Sequence, residues 1–298
     1  MAQPRLRTPT PARRAKYVEL VRNEVRTRAQ SESGARDRFD VPVRADAAGL
    51  AFDPQSRLLY VCDDHGRVIA IEEDGAQEVV ATLPLGEARL GSPALGADGS
   101  LYVPRLSARG TGTILRIAGG TVTPLPELDG YIWRHALATE VGGGALFSTA
   151  YLRPANEGQP CHGWIARIEL GPRGAVTRVA EGFEKPVGLA QLGYELLVSD
   201  AATGTLTAIA LASGERRPVV SGLPRPGAVA RAGLDAVFVA CWDAARSTGY
   251  VYKVRLDGAC RAVWRGPWQP RGMAVDTAGQ RVLLTARGAC RVIVLPLE

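Results

Sequence analysis

An all-β, six-bladed β-propeller is the fold class the sequence predicts. Three observations predict it: a unit of about forty residues recurring six times, short strands parted by Gly, Asp and Pro turns, and no helical periodicity after about residue 38. The chain has 298 residues, 46% of them hydrophobic and 22% charged, enough to bury a sizeable core. The forty-residue period argues for one repetitive domain over residues 39–298 and against a two-sheet sandwich.

Each copy opens with an innermost strand led by small residues, turns at a Gly-containing loop into a second β-rich run, and continues into two outer strands. The first copy runs from Gly49-Leu50-Ala51-Phe52 through Leu58–Val61 and Arg67–Ile71 to Glu78–Ala81. The second contains Pro93-Ala94-Leu95, Leu101–Val103 and Thr113–Ile117. The third contains Ala136-Leu137-Ala138, Ala145–Phe147 and Trp164–Ile168, with an insertion from Tyr151 to Gly163. Gly188-Leu189-Ala190 opens the fourth, Ala228-Val229-Ala230 the fifth and Gly272-Met273-Ala274 the sixth. The sixth has only three strands before the chain stops at Glu298, so a strand at about 39–43 (Phe39-Asp40-Val41-Pro42-Val43) is expected to supply the fourth and cover an open sheet edge.

Residues 1–38 differ in kind. Thr10 can cap a helix, Pro11 suits its first position, and Tyr17, Val18, Leu20, Val21 and Val25 make one face apolar, which predicts a helix at about 11–30. This extension carries ten Arg or Lys against four acids, leaving 26 of each in the rest of the chain. The body is therefore balanced despite a net charge of +6, and nucleic-acid binding is not expected of it. The helix reads as a dock for the propeller, a protein partner or a second copy; membrane-surface and nucleic-acid contact are the sharper alternatives.

Five widely spaced cysteines without a C-x-x-C pair indicate neither a disulfide framework nor a zinc site. No signal-peptide core and no run of ~18 uncharged apolar residues occurs, so a cytoplasmic location without membrane insertion is expected. Only three of 36 basic residues are Lys, a bias that fits a high-GC bacterial genome.

The blade pattern is clearest in Trp164–Ile168, Ala180-Glu181-Gly182-Phe183, Lys185-Pro186-Val187-Gly188-Leu189-Ala190 and Leu196–Asp200. There it resembles the senescence marker protein and gluconolactonase family, close also to strictosidine synthases and paraoxonases. The resemblance spans residues 47–297 in architecture. Metal-dependent members hold a divalent cation, typically calcium, at the channel mouth through a first-blade Glu, Asn residues of middle blades and an Asp. Those positions fall here on Ala48 (Asp46 being the nearest acid), near Arg134 and His135, on Val187 and near Gly227. They lack the oxygen donors a hard cation requires, so neither a metal nor another cofactor is expected. Strictosidine-synthase-like members act without metal, which keeps an enzyme in play.

Loops entering the innermost strand and leaving the second strand converge on a propeller's channel mouth. Entry residues are Asp46, Ser92, Arg134, His135 and Arg271; exit residues are Asp63, Asp64, His65, Arg105, Tyr151, Asp200, Trp242, Asp243 and Arg287. His135 is the leading acid–base candidate, with Asp200 or Asp243 as its carboxylate, because an imidazole titrates near neutral pH. The alternative is a structural histidine. Arg105, Arg134, Arg271 and Arg287 offer an anion site, or else pair with Asp63, Asp200 and Asp243. Tyr151, Trp133 and Trp242 offer aromatic walls for a small ligand or else fill the upper core, Asp63 completes the set of substrate contacts, and buried Cys241 reads as inert. His65 reads as a loop cap, and His162, beside Cys161, has no triad partner.

The expected function is a metal-independent enzyme hydrolysing or isomerising a lactone- or ester-like, anionic small molecule at the mouth. The alternative is a non-catalytic propeller that grips a peptide or protein. A narrow pocket with convergent polar groups favours the first, a flat face the second.

Overall fold

The computed structural model describes residues 42–43, 46–84, 86, 88–107, 112–125, 128, 132–152, 161–171 and 174–297, and every element named among them is a β-strand. They form six antiparallel sheets in sequence order, a six-bladed propeller. Blade 1 comprises Ala47–Phe52, Leu59–Asp63, Arg67–Ile71 and Gln77–Thr82. Blade 4 comprises Pro186–Leu192, Glu195–Asp200, Thr205–Ala210 and Arg216–Ser221. Blade 5 repeats that plan from Pro226–Arg231 to Cys260–Gly266. Blade 3 runs from Leu137–Thr139 to Val176–Phe183, and blade 2 has its innermost strand split into Arg89–Leu90 and Ala94–Leu95.

Alternation along each second strand glues the blades together, because successive side chains leave opposite faces of the sheet. In Glu195–Asp200, Leu196 and Val198 pack with Phe147, Ile165 and Phe183 of blade 3. Leu197, between them, packs with Val239 and Tyr252 of blade 5. The same division yields six apolar clusters, one at each blade junction. Burying each such Leu or Val is worth roughly 1.5–3 kcal/mol.

Blade 6 holds three strands, Gln269–Asp276, Arg281–Arg287 and Val292–Pro296. Pro42 makes an antiparallel bridge with Arg291, and the Val43 N–H donates to the Cys290 carbonyl at 2.8 Å. Val43 is buried in the apolar cluster between blades 6 and 1. Residues 39–41 of the expected closing strand and the whole extension 1–38, with its helix at 11–30, lie outside the described residues. No helix among the described residues is long and apolar enough to cross a membrane.

At the end of the channel away from the entry loops, a charged latch joins blades 6 and 1. The buried Asp276 carboxylate accepts from Arg57 Nη1 at 2.7 Å, Arg57 Nη2 at 2.8 Å, Arg281 Nε at 2.9 Å and the Gly279 N–H at 2.9 Å. Glu73 joins through Arg57 and Arg281. Arg57 has φ 62°, a left-handed conformation costly for a side chain of its size, which the two-pronged contact holds in place.

Every innermost strand breaks regular pairing near the mouth. The register slips between Ala47 and Gly49, Pro186 and Gly188, Pro226 and Val229, and Pro270 and Gly272. Blade 2 is interrupted between Leu90 and Ala94, and regular pairing in blade 3 begins only at Leu137. Such bulges re-aim one side chain per strand. The next position is small in all six blades (Gly49, Ser92, Ala136, Gly188, Ala228, Gly272), because neighbouring blades meet there backbone to backbone. A Cβ at Gly49 would lie 2.6 Å from the Gly91 carbonyl oxygen, and one at Gly188 would run into the carbonyl of Gly227. Gly188→Ala is therefore expected to cost about 1–3 kcal/mol through overpacking, read as a lower melting temperature.

Candidate functional site

The bulged residues form a ring at the channel mouth: Ala48, Gly91, His135, Val187, Gly227 and Arg271 all line one cavity of about 590 Å³. Hydroxyls on the second strands fix the bulges. Thr149 Oγ1 accepts from the N–H groups of His135 at 3.2 Å and Ala136 at 3.0 Å, Ser199 donates to the Gly227 carbonyl at 2.5 Å, and Thr285 accepts from Gly272 N–H at 3.0 Å. Only His135 and Arg271 bring functional side chains to this ring, and blades 3 and 6 stand opposite each other in a six-fold arrangement.

His135 Nε2 lies 2.8 Å from the Tyr151 hydroxyl, and the two rings stack at 5.6 Å with 8° between their planes. Trp133 leans on the pair, 5.8 Å from the Tyr151 ring and 6.4 Å from His135. Burial, then the positive charges of Lys185 and Arg271, push the His135 pKa down to about 4, so the imidazole is neutral at pH 7.

The cavity wall is cationic. Arg89, Lys185, Arg225, Arg271 and Arg287 line it, and among the described residues of the lining there is no Asp or Glu. Burial and the nearby charges of Arg287 and Arg89 lower the Arg271 pKa, with Asp46 and Asp64 acting the other way. Arg225 has φ 38°, strained backbone at the rim. Trp242, Ser92, Ser107 and Gln269 complete the polar and aromatic wall. Cys241 also borders the cavity, but burial, with Cys260 adding to it, holds its thiol well above the ordinary range. It is unsuited to nucleophilic chemistry.

Of the expected site residues, the structure brings His135, Tyr151, Trp242, Arg271 and Arg287 to one cavity. The others lie elsewhere. Arg134 turns into the protein and is 3% exposed; its Nη1 is 3.4 Å from Ser148 Oγ, its Nε has no hydrogen-bond partner among the described residues, and burial alone lowers its pKa to about 10. The bulge gives the channel-facing place to His135 and the neighbouring wall position to Arg134.

The three expected carboxylates are spent on their own turns. Asp63 accepts from the N–H groups of His65 and Arg67 and from Arg67 Nε. Asp200 accepts from the N–H groups of Glu184, Lys185, Ala202 and Thr203. Asp243 binds Arg246 through side chain and backbone; burial would raise its pKa, and these bonds bring it below the usual value. None faces the cavity, and Arg105 instead donates to the Pro84 carbonyl at 2.7 Å. His65 is exposed beside Asp64 at 3.3 Å, and His162 is exposed on blade 3.

The sequence reading missed Arg89, Lys185 and Arg225. A signal existed for two of them: Lys185, Arg225 and Gln269 each precede the proline of the repeated Pro186-Val187-Gly188, Pro226-Gly227-Ala228 and Pro270-Arg271-Gly272 units. That common register assigns them one rim position.

The donor set does not fit a hard divalent cation. Ala48, Gly91, Val187 and Gly227 carry no side-chain oxygen, Arg271 is cationic, and among the described residues no three His, Cys, Asp or Glu gather into a metal-binding group.

No protein-family model and no curated protein matches the chain. Solved structures do. A gluconolactonase from Xanthomonas campestris is 22% identical with a TM-score of 0.67, over 86% of this chain and 88% of its own. The pyrroloquinoline-quinone (PQQ)-bound aldose sugar dehydrogenase of Streptomyces coelicolor is 17% identical with a TM-score of 0.65, over 87% and 96%. The calcium-binding protein regucalcin from Agrobacterium tumefaciens is 16% identical with a TM-score of 0.62, over 85% and 90%. What this chain shares with them at such identities is the propeller fold.

Proposed function

We propose that the protein is a metal-independent enzyme that hydrolyses a lactone- or ester-like anionic small molecule at the channel mouth. The observation that carries this reading is a neutral, stacked His135–Tyr151 pair inside a cavity walled by cations, with no carboxylate among the described residues of its lining. A volume of about 590 Å³ suits a metabolite better than a peptide. The gluconolactonase among the structural neighbours makes ring-opening hydrolysis the natural reaction class.

With its hydrogen on Nδ1, His135 accepts the Tyr151 O–H proton at Nε2 while Tyr151 takes a proton from the attacking water. The water oxygen bonds to the carbonyl carbon, and the oxyanion that forms is met by a guanidinium of the wall. Collapse breaks the carbon–oxygen bond of the ester, and the proton returns from His135 through Tyr151 to the leaving alkoxide. A bound anion offsets Lys185 and Arg271, the two charges that hold the imidazole pKa down, and so strengthens it as a base when substrate is present.

The test is hydrolysis of matched lactones and esters with and without a carboxylate or phosphate group, followed by proton release. The anionic members are expected to have higher kcat/KM, with the advantage shrinking as salt is added, since screening weakens attraction at an open mouth. Chelator is expected to change neither rate nor melting temperature, because the ring at the mouth lacks the oxygen donors that would link a hard cation to folding. Absence of turnover across the panel would remove the catalytic reading and leave a small-molecule binding propeller.

A further inference from the structure

We infer that the mouth takes a molecule with two separate anionic groups, one held by Arg89, Arg271 and Arg287 and the other by Lys185 and Arg225, with the His135–Tyr151 pair between them. The inference rests on the anion-binding reading above and adds the number and placement of the charges.

The distribution of ion pairs over the molecule supports it. Many arginines elsewhere are matched to acids, Arg57 and Arg281 to Asp276, Arg67 to Asp63, Arg167 to Glu140, Arg217 to Glu195 and Arg246 to Asp243, while Arg105 and Arg231 donate to carbonyls and Arg216 and Arg265 lie over ring faces. The five cations of the mouth form no ion pair among the described residues, although they share one cavity. Like charges gathered in a partly closed cavity repel one another; the Arg271 pKa is lowered by burial first and then by the charges of Arg287 and Arg89, with Asp46 and Asp64 acting the other way. A fold that gives many of its other arginines an acid, a carbonyl or a ring face leaves these five side chains for a ligand.

Blade order separates the two groups. Arg271 and Arg287 belong to blade 6 and Arg89 to blade 2, with blade 1 between them contributing Ala48. Lys185 enters blade 4, opposite blade 1, and Arg225 enters blade 5, beside blade 6 and opposite Arg89 on blade 2. The floor between the groups is made of Ala48, Gly91, Val187 and Gly227, whose small side chains leave the axis open to a ligand that bridges it. Blade 3 places the His135–Tyr151 pair on the arc between Arg89 and Lys185. A single carboxylate neutralises one group only; a dicarboxylate or a phosphorylated acid spans both.

Calorimetric titration of the full chain at low salt with straight-chain dicarboxylates from malonate to suberate, beside monocarboxylates of equal length, tests this. One chain length is expected to bind roughly 10²-fold more tightly than its monocarboxylate, because the second contact becomes intramolecular. Arg271→Gln and Lys185→Gln should each return that dicarboxylate to monocarboxylate affinity, with melting temperatures showing that both variants stay folded. Equal affinity for mono- and dicarboxylates at every length overturns the two-anion inference while leaving the anion site standing. Retention of the preference in both variants overturns it as well. Binding is read without turnover, so a protein that selects dianions yet hydrolyses nothing refutes the catalytic reading and supports this one.

Discussion

Asp276→Ala is expected to lower the stability of the propeller by about 3–5 kcal/mol, the cost of stripping a buried ion pair of one partner. Asp276 is fully buried and is the shared acceptor of Arg57 and Arg281, and Arg281 is itself only 8% exposed. Without the carboxylate, Arg281 keeps the partly exposed Glu73 but loses its buried partner, and Arg57 loses the contact that holds its left-handed backbone. For a domain of this size the melting temperature should fall by on the order of 10 °C. Burial works to raise the Asp276 pKa, but the bonds from Arg57, Gly279 and Arg281 bring it below the ordinary carboxylate value. A depressed folded-state pKa means that this stabilisation is complete above the unfolded value, near ~4, and is lost as pH falls through the folded one. The wild type should therefore lose stability in that acid range, and Asp276→Asn should show a shallower acid slope. An Asp276→Ala protein that melts with the wild type would remove the latch from the account of ring closure.

His135→Ala is expected to cut turnover of a responsive ester by ~10²- to 10⁴-fold, the usual worth of a positioned proton-transfer group. Tyr151→Phe should give a smaller loss in kcat with KM little changed, since it removes the proton path and keeps the ring. The pH profile separates this from a structural role. With the free imidazole near pKa 4, the acid limb of kcat/KM should lie near pH 4 and not near ~6.5. The same depression makes the folded state bind fewer protons than the unfolded chain as pH drops from about 6.5 to 4, so His135 costs stability over that interval. His135→Ala should relieve that loss. A His135→Ala protein with unchanged specific activity and a large drop in melting temperature would make the histidine structural.

The blade repeat was legible in the sequence because it is written in periodicity: small residues lead each innermost strand, and alternating apolar runs fill the junctions. His135, Arg271, Arg287, Tyr151 and Trp242 were legible for the same reason, since a repeat alignment identifies entry and exit positions. Arg134 shows its limit. A bulge hands the channel-facing direction to one of two adjacent residues, and composition does not distinguish which. Asp63 and Asp200 show another limit: an acid at the end of a second strand suits a mouth or a turn equally well, and the turn's own N–H groups claim it. The cationic wall was hidden because the body's charge sums to zero, whereas recognition depends on where the pairing is withheld.

The ring of bulges has a further consequence for how such a mouth is altered over time. Thr149, Ser199 and Thr285 anchor the backbone, and the small neighbouring residues accommodate blade contact, so the aiming of each bulged position is largely separate from what occupies it. Ala48, Val187 and Gly227 are thus vacant sockets around a common focus, whereas a Cβ at Gly91 would run into the His135 carbonyl. A single codon change can add a reactive group there while the blade junctions stay as they are, and the specificity of the mouth can drift faster than the scaffold that holds it.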